Sequence, residues 1–173
     1  MVFGFLKKKK EDVAAVEIEP VQDESIAVGG TNIRYQPALI EDMKADHVEL
    51  LNLYTDIQMA SETRNFKKVA AALKEFRGAL EDHLLKENVN LYIYLTHLLK
   101  SDAMNSELIA GFRKEMDGIA SIALKFLAKY ESIGEDAHLH DGFGEEFATI
   151  GKVLGDRITR EEKTLYTLYV PPY

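Results

Sequence analysis

Between Pro37 and Pro171 the chain contains no proline. Proline locks φ and removes a backbone donor, so its absence over so long a span lets helices run without interruption. Within that span apolar residues recur three and four positions apart, the spacing that lines one face of an α-helix. The pattern predicts four helices. The first has Pro37 in its opening turn, runs to about Ala60 and turns inward Ile40, Met43, His47, Leu50, Leu51, Tyr54 and Ile57. An Asn65 cap starts the second, which continues to about Leu99 with Val69, Leu73, Phe76, Leu80, His83, Glu87, Leu91, Tyr94 and Leu98 on its stripe. The third follows Asn105 and ends near Ser132 or Gly134, with Leu108, Phe112, Met116, Ile119, Ala123, Phe126 and Tyr130 facing inward. The fourth starts near Asp141 and runs to about Tyr169, and its stripe is Phe147, Ile150, Leu154, Arg157, Glu161, Leu165 and Leu168. No strand-period segment and no short internal repeat stands out. Four amphipathic helices with mostly short connections bury their stripes as an antiparallel up-down-up-down four-helix bundle, an all-α fold.

The 173 residues suit one such domain, over 36–173, with a flexible N-terminal arm over 1–35. The opening MVFGFLKKKK puts its apolar residues before its lysines, the reverse of a secretory signal, which argues for the cytoplasm. Phe3, Phe5 and Leu6 beside Lys7 to Lys10 offer at most weak contact with an anionic membrane. Residues 11–35 hold scattered acids, Pro20 and the Gly29-Gly30 pair, a linker composition, with Ile33 to Tyr35 placed to dock on the domain. A net charge of −8 argues against direct nucleic-acid binding and leaves a basic protein patch as a fitting partner.

The informative residues are polar ones in phase with the apolar stripes: His47, His83, Glu87, Arg157 and Glu161. A charged group inside a bundle costs several kcal/mol unless it is paired, hydrogen-bonded or bound to metal. With no cysteine in the chain, His, Asp and Glu are the only strong ligands available. His83 and Glu87 are four apart and project from one helical face, so a single cation can bridge them. His47 lies in the middle of the first stripe, at a depth that can face the second helix.

These residues sit in the segments DHVELLNLY, FRGALEDHLLKENVNLYIYL, FRKEMDGI and RITREEKTLYTLY. Over residues 37–169 the sequence resembles the hemerythrin-like, or HHE cation-binding, four-helix bundles. The resemblance implies a non-haem iron site built from two halves, each with a lone His and an H-x-x-x-E helix. His47, His83 and Glu87 match the first half and Glu161 matches the acid of the second. Two positions depart from the pattern: Met116 and Arg157 stand where it has histidines. A thioether suits iron poorly and a guanidinium stays protonated, so one ion is expected before two. The expected role is an oxygen-, redox- or metal-responsive sensor that takes dioxygen or another small ligand, with a redox enzyme ranked below it. A second reading has no metal: Arg157 is the fixed cation between Glu87 and Glu161.

The chain is also similar to the bacterial Rsd/AlgQ regulators, through Phe76, Leu80, Asp82 and Leu91-Tyr92, then Glu146-Phe147, Ile150-Gly151, Arg157 and Glu161. That similarity implies a metal-free regulator that binds the sigma factor of RNA polymerase. Elsewhere, His138 and His140 in DAHLHDGFGEEF form a generic loop combination, and His97 reads as a hydrogen-bonded histidine at the bundle end. The tyrosines near the helix ends, Tyr54, Tyr92, Tyr94, Tyr166 and Tyr169, are expected to pack their rings with hydrated hydroxyls. Glu161-Glu162 reads as an ordinary charge pair on a helix. No phosphate-cradling glycine loop, dinucleotide fingerprint or nucleophile triad is present.

Overall fold

A computed structural model describes residues 27–172. The apolar and lysine-rich opening of the chain, and most of the linker after it, lie outside the described residues. Four helical rods follow one another. The first is α1, Leu39–Glu62. The second joins α2, Phe66–Lys86, through a π-helical turn, Glu87–Tyr92, to α3, Ile93–Leu98. The third is α4, Ala103–Lys129. The fourth is α5, Phe143–Arg160, prolonged by a π-helical turn, Glu161–Leu165, and a short 3₁₀ turn, Tyr166–Leu168. The rods pack in cyclic order, each against the next and the fourth against the first. The all-α bundle read from the sequence is the observed fold.

Local chemistry sets the rod ends. Asn65 accepts from the Lys68 amide at 3.1 Å and caps α2 as expected. The third rod starts earlier than its expected start after Asn105, because the Asp102 carboxylate accepts from the Asn105 amide at 3.0 Å. Gly142 precedes α5 with φ +81°, a left-handed conformation that strains any residue with a side chain.

The interior has two apolar clusters. One gathers Ile57, Val69, Phe76, Phe126, Tyr130, Phe143 and Phe147. The other gathers Met43, Leu91, Tyr94, Leu95, Phe112, Leu165 and Tyr169. Along every rod the passage from one cluster to the other crosses a single level, and there lie His47, His83, Glu87, Arg157 and Glu161, all buried, with Met116 on the third rod. The bundle therefore has a polar belt between two hydrocarbon layers, the low-dielectric setting in which unpaired polar groups are most costly.

The second layer also holds the described part of the arm. Val28 is buried, Ala27 and Arg34 form an antiparallel bridge, and Tyr35 stacks on Tyr169 at 4.9 Å. The Gln36 amide donates to the Tyr169 hydroxyl at 2.9 Å. Three stripe or end assignments differ: Leu51 is 47% exposed, Ile109 and not Leu108 faces inward, and His97 points to solvent. Among the described residues, no helix is long and apolar enough to cross a membrane.

Candidate metal centre

The first and second rods bring two imidazoles edge to edge. His47 Nε2 lies 3.3 Å from His83 Nε2, and the fourth rod adds Glu161 Oε2 at 3.2 Å from His47 Nε2. One ligand atom from each of the three residues lies within 4.8 Å of the others, and all three residues are buried. Outer partners aim the rings: Glu162 holds His47 Nδ1 at 2.8 Å and Asp46 holds His83 Nδ1 at 3.3 Å. A carboxylate at Nδ1 keeps the proton on that nitrogen and turns the Nε2 lone pair inward. Three acceptors then converge on one point, and something positive must stand between them. A proton can do it. Burial disfavours a charged His47, but the hydrogen bonds it donates to Glu161 and Glu162 outweigh that and hold its pKa above the ordinary value. Burial and the His47 charge push that of His83 down. A metal ion fits the same point, since ligand atoms around an ion with bonds near 2.1 Å sit about 3.0–3.4 Å apart. Two imidazoles and one carboxylate with positions left open are a donor set suited to Fe(II) and its neighbours.

Across the bundle the same arrangement recurs with other side chains. His83 to Tyr92 reads HLLKENVNLY and Arg157 to Tyr166 reads RITREEKTLY. In both, the acid starts a π-helical turn and a buried tyrosine follows five residues later. Asp46 on the first rod meets His83 and, at 2.6 Å, Lys86. On the third rod Glu115 meets Arg157 at 3.4 Å and pairs with Arg160. Tyr92 accepts from Arg157 Nη2 at 2.8 Å, and Tyr166 reaches His47 Nε2 at 3.2 Å. The belt is thus a pseudo-two-fold pair of half-sites, one ending in imidazoles and the other in a guanidinium. This corrects the impression of a chain without short repeats. Only the acid, a leucine and the tyrosine are identical between the frames.

Arg157 is only 2% exposed and spends its donors on Glu161, Tyr92, Glu115 and, at 3.2 Å, the Phe112 carbonyl. Burial opposes charge on Glu161, but the hydrogen bond from His47 and the nearby Arg157 outweigh it, so its pKa lies below the ordinary value. Glu87 differs. It is fully buried, its nearest cation is Arg157 at 3.8 Å, and neither of its oxygens has a hydrogen-bond partner. Burial and the negative Glu161 push its pKa up to about 8. Of the expected ligands, His47, His83 and Glu161 are brought together and Glu87 stands apart from that group, facing the guanidinium. Met116 is buried beside a cleft that reaches the two histidines.

Several participants were not singled out by sequence reasoning. Glu162 binds the His47 ring and is no ordinary surface charge. Tyr92 and Tyr166 belong to the belt, with buried hydroxyls whose ionisation is pushed up by that burial and by neighbouring carboxylates. Their fixed offset from the two acids was the available signal. The loop histidines form no site: His138 is exposed, and His140 is engaged by the Ile133 carbonyl at 2.9 Å and by the Phe66 ring.

Comparison with protein families matches residues 38–169 to the Hemerythrin HHE cation binding domain. No curated protein and no solved structure matches the chain.

Proposed function

The chain belongs to the hemerythrin HHE cation-binding family, and on that footing we propose that it binds one divalent first-row ion, iron foremost, through His47, His83 and Glu161. The observation that carries this reading is the convergence of two Nε2 atoms and a carboxylate oxygen on one buried point, with both Nδ1 atoms held by acids. The second half-site supplies its own cation in Arg157, which already satisfies Glu161 and faces Glu87. A second ion would have to share that space with a permanent positive charge. When bound, such an ion provides a Lewis-acid centre with positions open to a small ligand such as dioxygen.

The role that follows is that of a sensor. Glu161 opens the π-helical turn that leads through Leu165 and Tyr166 to Tyr169, and Tyr169 holds Tyr35 and Gln36 of the arm. Moving Glu161 between ion and guanidinium shifts this turn, and the arm is where the shift is felt. Metal quantification on untagged protein tests the binding: about one ion per chain is expected, lost in His83→Ala. Amide exchange in residues 27–36 tests the sensing: it differs between ion-loaded and chelator-treated protein. Equal exchange in the two states removes the sensor role and leaves the binding intact.

The burial of Arg157 between Glu87 and Glu161 also supports a second reading, a metal-free regulator of the sigma-binding kind. It requires that chelator-treated protein retain a sigma factor from a bacterial lysate as well as untreated protein does.

A further inference from the structure

A cleft of about 360 Å³ enters the bundle and ends on the polar belt, where His47, His83 and Glu161 form part of its floor. Its walls are hydrocarbon: Leu50, Phe76 and Leu80 from the first two rods and Leu154 and Ile158 from the fourth. On the α5 side the space is lined by Ala148, Gly151 and Gly155, about one turn apart. The two glycines are not equivalent. A Cβ on Gly151 would lie 2.2 Å from the Tyr54 ring, so that backbone is covered by the ring and forms a fixed wall. At Gly155 a Cβ would meet nothing within 4 Å, so the packing of the protein itself gives no reason for a glycine in mid-helix.

We infer that this cleft is a binding site for a neutral, mostly hydrocarbon molecule of roughly ten to fifteen heavy atoms, planar or rod-shaped, entering past α5 with its inner end at the histidines. An apolar cavity of about 150 Å³ is enough for one benzene ring, and this one is more than twice as large. Its charged lining argues against an ionic guest. Arg157, Glu161, His47 and His83 are committed to protein partners, and Lys152 is exposed. The guest is an organic molecule, far larger than a diatomic gas, and its binding does not require an ion at the histidines.

The fluorescent polycycle 1-aminoanthracene is the probe. Titrated into the full chain, it binds with enhanced, blue-shifted emission at about one per chain, in chelator-treated and ion-loaded protein alike. Gly155→Leu projects four carbons into the cleft and raises the Kd at least about tenfold, while ion stoichiometry and melting temperature are maintained. Ala148→Phe, at an exposed position on the rim, weakens binding without touching the core. Gly118→Leu, the same kind of change on the exposed face of α4, leaves it unaltered. Binding unchanged in both Gly155→Leu and Ala148→Phe overturns the inference. So does binding confined to chelator-treated protein, which would put the probe in the place of the ion.

Discussion

Replacing Arg157 by methionine keeps an unbranched, helix-compatible side chain of similar reach and removes the one fixed cation of the belt. The structure sets the size of the effect. Arg157 is 2% exposed, pairs with Glu161, and donates to Tyr92 at 2.8 Å and to the Phe112 carbonyl at 3.2 Å. Removing one partner of a buried, hydrogen-bonded ion pair costs about 3–5 kcal/mol. For a chain of this size each kcal/mol is worth about 2–4 °C, so the melting temperature of chelator-treated protein falls by roughly 6–20 °C. The pH dependence carries a definite sign. Glu161 has a depressed pKa in the folded wild type, so its contribution is present above the ordinary carboxylate range and is lost as pH falls through the folded value. In Arg157→Met that depression is reduced, so the gap between variant and wild type is widest near pH 8 and narrows toward pH 4. Ion loading narrows it as well, because a bound cation also faces Glu161. Circular dichroism melts at pH 4, 6 and 8, with and without chelator, read all three effects. A variant melting within about 2 °C of wild type at pH 8 under chelation would show that Arg157 does not hold the belt together.

Asp46→Asn and Glu162→Gln loosen the rings they orient and weaken ion affinity by roughly 10–100-fold in competition titrations, with helicity unchanged. Ion binding displaces the proton that joins His47 to its acids, so calorimetry in buffers of different ionisation enthalpy finds about one proton released per ion, and apparent affinity falls as pH drops below the raised His47 value. Glu87 is pushed up to about 8, so stability is lost progressively as pH rises from the ordinary carboxylate range toward 8, where the unfolded chain ionises this side chain and the folded chain keeps it neutral. Glu87→Gln consequently raises the melting temperature at pH 8.5 and changes it little at pH 5, where both side chains are neutral. Restoring imidazoles to the second half-site in Met116→His/Arg157→His raises the capacity from about one ion per chain toward two, by metal analysis after dialysis.

The architecture was open to sequence reasoning because each stripe is a run of large apolar residues at helical spacing, and Leu73, Phe76 and Leu80 are buried where the period puts them. The belt was visible for the same reason: His47, His83, Glu87, Arg157 and Glu161 interrupt those stripes in phase, and all are buried. What sequence could not resolve was the sorting of carboxylates. Glu87 and Glu161 occupy equivalent positions in their frames, but Glu161 meets both His47 and Arg157 whereas Glu87 has only the more distant guanidinium, because His83 and Arg157 differ across the two-fold. Glu162 and Asp46 were missed because a helix position just outside the stripe reads as solvated, although a carboxylate there can still reach a ring inside. The cleft was also out of reach, since small residues on α5 reveal a void only once Tyr54 is seen to cover Gly151 and nothing covers Gly155.

X-ray absorption at the metal edge of iron-reconstituted protein addresses the central claim most directly. The expected result is a single iron with two imidazole and additional oxygen ligands near 2.1 Å, and no metal scatterer beyond them. A metal–metal vector, or a first shell with fewer than two imidazoles that is unchanged in His83→Ala, would contradict it.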